Sequence, residues 1–265
     1  MSTQPVLDIR QARLALGGRD LWSGLDLAVA PGEFVAVLGA NGSGKTSLLR
    51  AILGQLPLDS GEILLGGRPV RHGDREIGYI PQQRILPAGT ALRGRDLVAL
   101  GLDGHRWGIP WPSRAARDRV DEIIESIGAT AYADLPIGVL SGGEQQRLRV
   151  GQALASNPSL LLCDEPLSSL DLQHQRGVAE LIDTRLHDSG TAVVFVTHDI
   201  NPVLDMVDTV LYLAGGRFTA GPPEEVLRTE VLSELYGTPV DVIHSGDRVF
   251  VAGVPEFSHH EGDAA

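Results

Sequence analysis

The chain has 265 residues, enough for one large domain or a core with a subdomain, and 43% of them are hydrophobic, an ordinary share for a globular protein. A formal charge of −12 argues against a nucleic acid as partner and suits docking onto positively charged cytoplasmic loops of a membrane protein, though an acidic surface is more often just a solubility feature. No uncharged apolar run approaches the roughly 18 residues of a membrane helix, and Met1–Pro5 begins nothing like a signal peptide, so a soluble cytosolic chain is expected.

In chain order, residues 5–31 predict antiparallel β structure: Gly17-Gly18 marks a turn, and Leu25, Leu27 and Val29 alternate with Asp26 and Ala28. After the Pro31-Gly32 turn, Phe34-Val35-Ala36-Val37-Leu38 is an apolar run ended by glycine, the pattern of a strand buried on both faces. Gly39-Ala40-Asn41-Gly42-Ser43-Gly44-Lys45-Thr46 then matches G-x-x-x-x-G-K-[ST] at every fixed position. Leu48, Leu49, Ile52 and Leu53 follow at helical spacing, and Gly54 supplies a stop.

Strand, glycine loop and helix together predict a phosphate cradle. The glycines let successive backbone N–H groups point inward, and the helix beginning near Gly44 adds its positive end. Lys45 places a charge on the β- and γ-phosphates, and the Thr46 hydroxyl offers a Mg²⁺ ligand. The candidate nucleotide contacts here are Gly39, Asn41, Gly42, Ser43, Gly44, Lys45, Thr46 and Ser47. Lys45 is also the only lysine in the chain, whose other cations are arginines. Base composition of the source genome accounts for that bias, but a lysine kept at this one position points to a specific need.

Short strands are predicted at Glu62–Leu65 and Ile77–Ile80, the second cut off by Pro81. From Gln82 the texture changes. Residues 84–112 are rich in glycine, proline and arginine, and Ser113–Ile127 is an amphipathic helix with Val120, Ile123, Ile124 and Ile127 on one face. The sequence then predicts a helix over Glu144–Ala155, a strand over Leu160–Cys163, a helix over Leu172–Leu186, a strand over Ala192–Val196 and a hairpin around Gly215-Gly216. This alternation implies an α/β fold with a doubly wound, mostly parallel sheet. The expected division is a nucleotide-binding core with an antiparallel β subdomain (1–81 and 156–240), a helical subdomain (82–155) and a C-terminal tail (241–265), of which Pro255–Ala265 is expected to be disordered.

Leu160-Leu161-Leu162-Cys163-Asp164-Glu165 is an apolar strand ending in two acids, at the sheet edge where α/β folds bind ligands. Asp164 is placed to hold Mg²⁺ and Glu165 to polarise an attacking water. Cys163, the lone cysteine, reads as a small core residue. Ser141-x-x-Glu144 is a capping box that would start the next helix whatever the function. The same geometry gathers a serine hydroxyl, the amides of Gly142 and Gly143 and a helix dipole around one point, so an anion site is a second reading. Asp171 would cap the following helix, and His198 ends an apolar strand.

With these motifs in order, residues 6–240 resemble the ATP-binding subunit of an ATP-binding-cassette (ABC) transporter. The fold implied is a P-loop NTPase core with an antiparallel β subdomain and a helical signature subdomain. The resemblance makes Leu140–Glu144 the signature sequence, with Ser141, Gly142 and Gly143 contacting the nucleotide of a facing copy. It makes Tyr79-Ile80-Pro81-Gln82 the Q-loop, so that Gln82 contacts Mg²⁺ and water and senses the membrane subunit. It makes Glu165 the catalytic glutamate, Ser168-Ser169-Leu170-Asp171 the D-loop and His198 the switch histidine. ATP and Mg²⁺ are the implied cofactors. A homodimer, integral membrane permease subunits and an external substrate-binding protein are the implied partners, with no nucleic acid. The implied location is peripheral, on the cytoplasmic face of the cell membrane.

One departure concerns the base. The family usually carries an aromatic residue where Leu16 precedes Gly17-Gly18-Arg19, so looser base selection is expected; Trp22 is expected to pack in the sheet instead. Within the family, Thr197–Leu204 and Val231–Gly237 are most similar to subunits that import manganese, zinc or iron. Neither stretch carries metal chemistry, and His244, His259 and His260 read as solvated chain. A soluble ABC-type ATPase acting on DNA or the ribosome would bring long insertions, tandem cassettes or basic patches. A non-catalytic nucleotide-binding module would not need Glu165 and His198. The expectation is therefore an ATPase that energises transport, with import of a divalent transition-metal ion as the activity implied.

Overall fold

The strand before the glycine loop sets the architecture. In the computed structural model, which describes residues 4–82, 87, 89–103, 113–168 and 170–253, β1 (Leu7–Leu16) and β2 (Arg19–Val29) form an antiparallel hairpin. They lead into β3 (Phe34–Gly39) and α1 (Lys45–Ile52). Next come β4 (Ser60–Leu65), β5 (Arg68–Pro69) and β6 (Ile77–Ile80). A helical stretch follows, with α2 (Gly94–Asp103), α3 (Arg114–Ser126) and α4 (Gly142–Leu154). Then β7 (Leu160–Asp164), α5 (Leu172–Ser189), β8 (Ala192–Val196), β9 (Thr209–Ala214) and β10 (Arg217–Gly221) complete the core. Two short helices, α6 (Pro223–Val226) and α7 (Thr229–Tyr236), precede a hairpin of β11 (Asp241–Ser245) and β12 (Arg248–Ala252). His259, His260, Ser169, the expected disorder over Pro255–Ala265 and parts of 84–112 lie outside the described residues.

The central sheet runs β10-β9-β3-β8-β7-β6, parallel except for the β9–β10 pair, and the second sheet, β2-β1-β4-β5, is antiparallel. The α/β class expected from the sequence is the class observed. Its cause is visible in β3, where side chains alternate between faces with a period of two. Val35 and Val37 join Leu48, Leu49 and Ile52 of α1, and the inner face of the antiparallel sheet, in one core. Phe34, Ala36 and Leu38 join Leu161, Cys163, Phe195 and the helices on the other face in a second. Buried on both sides, the strand has no place for a polar residue, which is why its sequence is unbroken apolar. Among the described residues, no helix is long and apolar enough to cross a membrane.

Local signals set the helix ends. α4 starts two residues earlier than Glu144 because Ser141 is its N-cap and the full capping box forms. α5 outlasts Leu186 and stops where Gly190 adopts a left-handed conformation, φ 64°. The β11–β12 hairpin has no counterpart in the sequence expectation. Its strands are short and mostly exposed, so they lack the apolar alternation that identifies a half-buried strand.

Candidate active site

The candidate residues converge at the C-terminal ends of the parallel strands, and sheet register explains how. In β7, Leu160 and Leu162 face α1 while Leu161 and Cys163 face the other core, so strand parity turns Asp164 toward α1. There the Thr46 hydroxyl donates to Asp164 Oδ1 at 3.3 Å. Ile80 of β6 is registered with Cys163, so Gln82, two residues on, comes opposite Glu165. Gln82 Nε2 donates to Glu165 Oε2 at 3.1 Å. On the other side Val196 of β8 is registered with Asp164, and His198 Nδ1 lies 3.6 Å from that same Glu165 oxygen.

Glu165 breaks strand geometry to reach this position. Its φ is +47°, uncommon for a residue with a side chain, and such strain typically costs about 1–3 kcal/mol. The turn is held on both sides: the Glu165 N–H donates to Val196 O at 2.9 Å, while the Ser168 N–H and hydroxyl donate to Glu165 O at 3.1 and 2.8 Å.

The glycine loop curls over the end of β3. Gly39 has φ +141°, and a Cβ there would lie 2.2 Å from Leu213 O and 2.8 Å from Ser43 Oγ, so no other residue fits. Gly44 is the left-handed N-cap of α1. Lys45 is buried, and its ammonium donates to Gly39 O at 2.7 Å and Ala40 O at 3.1 Å. Burial lowers the Lys45 pKa, while Glu165 and Asp164 oppose the shift and favour its charged form. Burial raises Asp164, opposed by the hydrogen bonds from Thr46 and Tyr79. Ser43 Oγ is buried without a partner among the described residues, a donor ready for an anion held by the loop. Asn41, Gly42 and Thr46 are exposed, and Ser47 is half-buried beside them.

Ser141, Gly142, Gly143 and Asp171 form a second group. Ser141 N–H and Oγ both donate to Glu144 Oε2 at 2.8 Å, and the Glu144 N–H donates to Ser141 Oγ at 3.3 Å. Asp171 caps α5 by accepting from the His174 N–H at 2.9 Å. Each helix also steadies the loop ahead of it with a glutamine side chain. Gln145 donates to Ile137 O and Leu140 O at 3.0 and 3.2 Å; Gln175 donates to Leu167 O and Leu170 O at 3.3 and 3.1 Å.

Two residues matter more here than sequence reasoning foresees. Tyr79 shares the face of β6 that packs on the α1 side and donates to Asp164 Oδ2 at 3.4 Å; burial pushes its own pKa up to about 12. The two-residue period counted back from Gln82 does not reveal it, because the contact depends on pairing with β7. Trp22 is fully buried, and a Cβ on Gly44 would sit 3.0 Å from its Nε1, so the indole supports the glycine loop rather than covering a base. Leu16 is 47% exposed and pairs with Arg19 at the hairpin tip.

The stretches Thr197–Leu204 and Val231–Gly237 have structural tasks. The Asn201 side chain donates to Val249 O at 3.0 Å and accepts from the Val249 N–H at 2.8 Å, pinning the β11–β12 hairpin. Tyr236 packs edge-on against Tyr212, ring centroids 5.9 Å apart, and Ser233 Oγ donates to Val240 O at 3.1 Å. Among the described residues, no group of three or more His, Cys, Asp and Glu could hold a metal ion by itself.

The family profile described as ABC transporter matches residues 22–168. The hemin import ATP-binding protein HmuV of Streptomyces coelicolor is 37% identical over 243 residues, 87% of this chain and 82% of that protein. The zinc transport system ATP-binding protein TroB of Treponema pallidum is 33% identical over 217 residues, 82% of this chain and 81% of that protein. Among solved structures, an inward-facing ABC transporter assigned provisionally to the metal-chelate type superposes with a TM-score of 0.78 at 27% identity, covering 94% of this chain and 96% of that one.

Proposed function

The chain belongs to the ABC transporter family as an ATP-binding, ATP-hydrolysing subunit, and on that premise we propose that it energises uptake of a transition metal. The observation that carries hydrolysis is the meeting of Gln82, Glu165 and His198 beside Lys45, Thr46 and Asp164 at one sheet edge. The glycine loop holds the phosphates through its amides, with Lys45 on the β- and γ-phosphates. Thr46 and Asp164 suit Mg²⁺, since both present hard oxygen donors only 3.3 Å apart, and the Gln82 amide oxygen would be a further ligand. Held there, the ion would supply positive charge against the negative charge that develops on the phosphates. Glu165 polarises the attacking water, Gln82 orients its carboxylate, and His198 contacts the γ-phosphate from the adjoining strand.

In this reading two copies face head to tail, and Ser141–Gly143 of one completes the site built on the glycine loop of the other. Asp171 lies at the contact. The helical segment after Gln82 passes the motion to membrane permease subunits, which hold the chain on the cytoplasmic face, and an external binding protein delivers the cargo.

The cargo rests on relatives named for hemin, zinc, manganese and Fe(3+) import. Deleting the gene is expected to impair growth under metal chelation, with rescue by added manganese or zinc. The hemin-import relatives and the metal-chelate likeness favour a second reading, in which an iron chelate rescues instead. Normal growth under chelation, with a defect on an unrelated nutrient, would discard both cargo readings and leave the ATPase assignment intact.

Base selection can be tested at the hairpin tip. Leu16 lacks the aromatic stacking contribution of roughly 1–3 kcal/mol per base. GTP and ATP are therefore expected to compete on similar terms. Leu16→Tyr is expected to tighten ATP binding by about 5- to 150-fold. Competition titrations with a strong ATP preference, unchanged in Leu16→Tyr, would assign the base contact to another residue.

A further inference from the structure

We infer that His174 is a positioning residue that joins Asp171 to the start of α4, so that the two segments offered to a second copy move as one; this rests on the head-to-tail dimer proposed above. His174 Nδ1 lies 2.8 Å from both Asp171 carboxylate oxygens, while its backbone N–H donates to Oδ1 at 2.9 Å. An N-cap requires only the backbone bond. The ring bond is additional, and its geometry gives the hydrogen to Nδ1, since a carboxylate can only accept.

The other edge of the ring rests on the signature sequence. A Cβ on Gly143 would lie 2.3, 2.7 and 3.0 Å from His174 Cδ2, Cγ and Nε2, so a side chain at that position would displace the imidazole. About one turn further along both helices the arrangement is reversed, with Arg147 of α4 lying over Gly177 of α5, where a Cβ would be 2.2 Å from Nη2. Each helix thus supplies a glycine for the long side chain of the other, and the pair packs too closely to slide independently. Gly143 lies in the first turn of α4, two residues after the Ser141 cap. Displacing it moves the Ser141 hydroxyl and the first-turn backbone that the partner's nucleotide would meet. His174 therefore sets the spacing between Asp171 and Ser141–Gly143 without touching nucleotide itself.

The test uses the full-length chain carrying Glu165→Gln, in which ATP is expected to accumulate the dimer. Adding His174→Ala is expected to raise the ATP concentration for half-maximal dimerisation by about tenfold. ATP affinity of the monomer and the thermal midpoint should stay unchanged. In the chain with Glu165 intact, His174→Ala should lower kcat, and His174→Gln, whose amide can still donate to Asp171, should restore part of it. Dimerisation and kcat indifferent to His174, or a loss matched by an equal loss of monomer ATP affinity or of thermal stability in both His174 variants, would overturn the inference. A Glu165→Gln chain that never dimerises with ATP would overturn the dimer reading and this inference with it; dimerisation that ignores His174 overturns the inference alone.

Discussion

Replacing Glu165 with Gln is expected to lower ATP turnover by about 10²–10⁴-fold while ATP still binds. The side chain keeps its size, and an amide oxygen can still accept from Gln82 Nε2, which lies 3.1 Å from Oε2. What disappears is the negative charge that, in the proposed mechanism, draws a proton from water. The strained backbone at φ +47° serves Gln no worse than Glu, so little change in stability should accompany the loss. Phosphate release and gel filtration in the presence of ATP measure the two halves of the expectation: slow turnover and an accumulating dimer. Wild-type rates in Glu165→Gln would remove Glu165 from the chemistry.

Lys45→Ala is expected to fail at the earlier step. A charge-assisted hydrogen bond is worth about 1.5–3 kcal/mol, so removing this contact should weaken ATP binding by roughly 10- to 150-fold. Lys45 also donates to Gly39 O and Ala40 O inside the loop, and its charge faces Asp164 and Glu165. Without it, Asp164 loses a nearby cation, and its already raised pKa should rise further. Lys45→Arg should not restore binding: the site is buried around a compact ammonium, and a planar guanidinium has a different size and donor pattern. That result would explain why a chain that otherwise uses arginine keeps one lysine here. Equilibrium titration with labelled ATP measures both variants, and wild-type affinity in Lys45→Ala would contradict the phosphate role.

Local chemistry made much of this protein legible from sequence. The glycine loop is contiguous, and each residue's task follows from its neighbours, as the left-handed Gly44 at the start of α1 illustrates. The strand ending in Asp164 and the helix capped by Ser141 were likewise readable, because an apolar run and a capping box act over a few residues. Net charge argued against one class of partner but named no residue.

Tertiary structure decided the rest, wherever two distant segments had to meet in a particular register. Gln82 and His198 have no local signature; pairing of Ile80 with Cys163 and of Asp164 with Val196 brings them to one oxygen of Glu165. The same pairing gives Tyr79 its contact with Asp164. Trp22 beneath Gly44 and His174 against Gly143 depend on approaches so close that only the absence of a Cβ permits them. The hairpin over 241–252 is held by an amide from Asn201, some 48 residues before Val249, so its own sequence carries little of its stability. Periodicity and capping report what a segment does with itself; register and close packing are properties of pairs, and those the chain acquires only when folded.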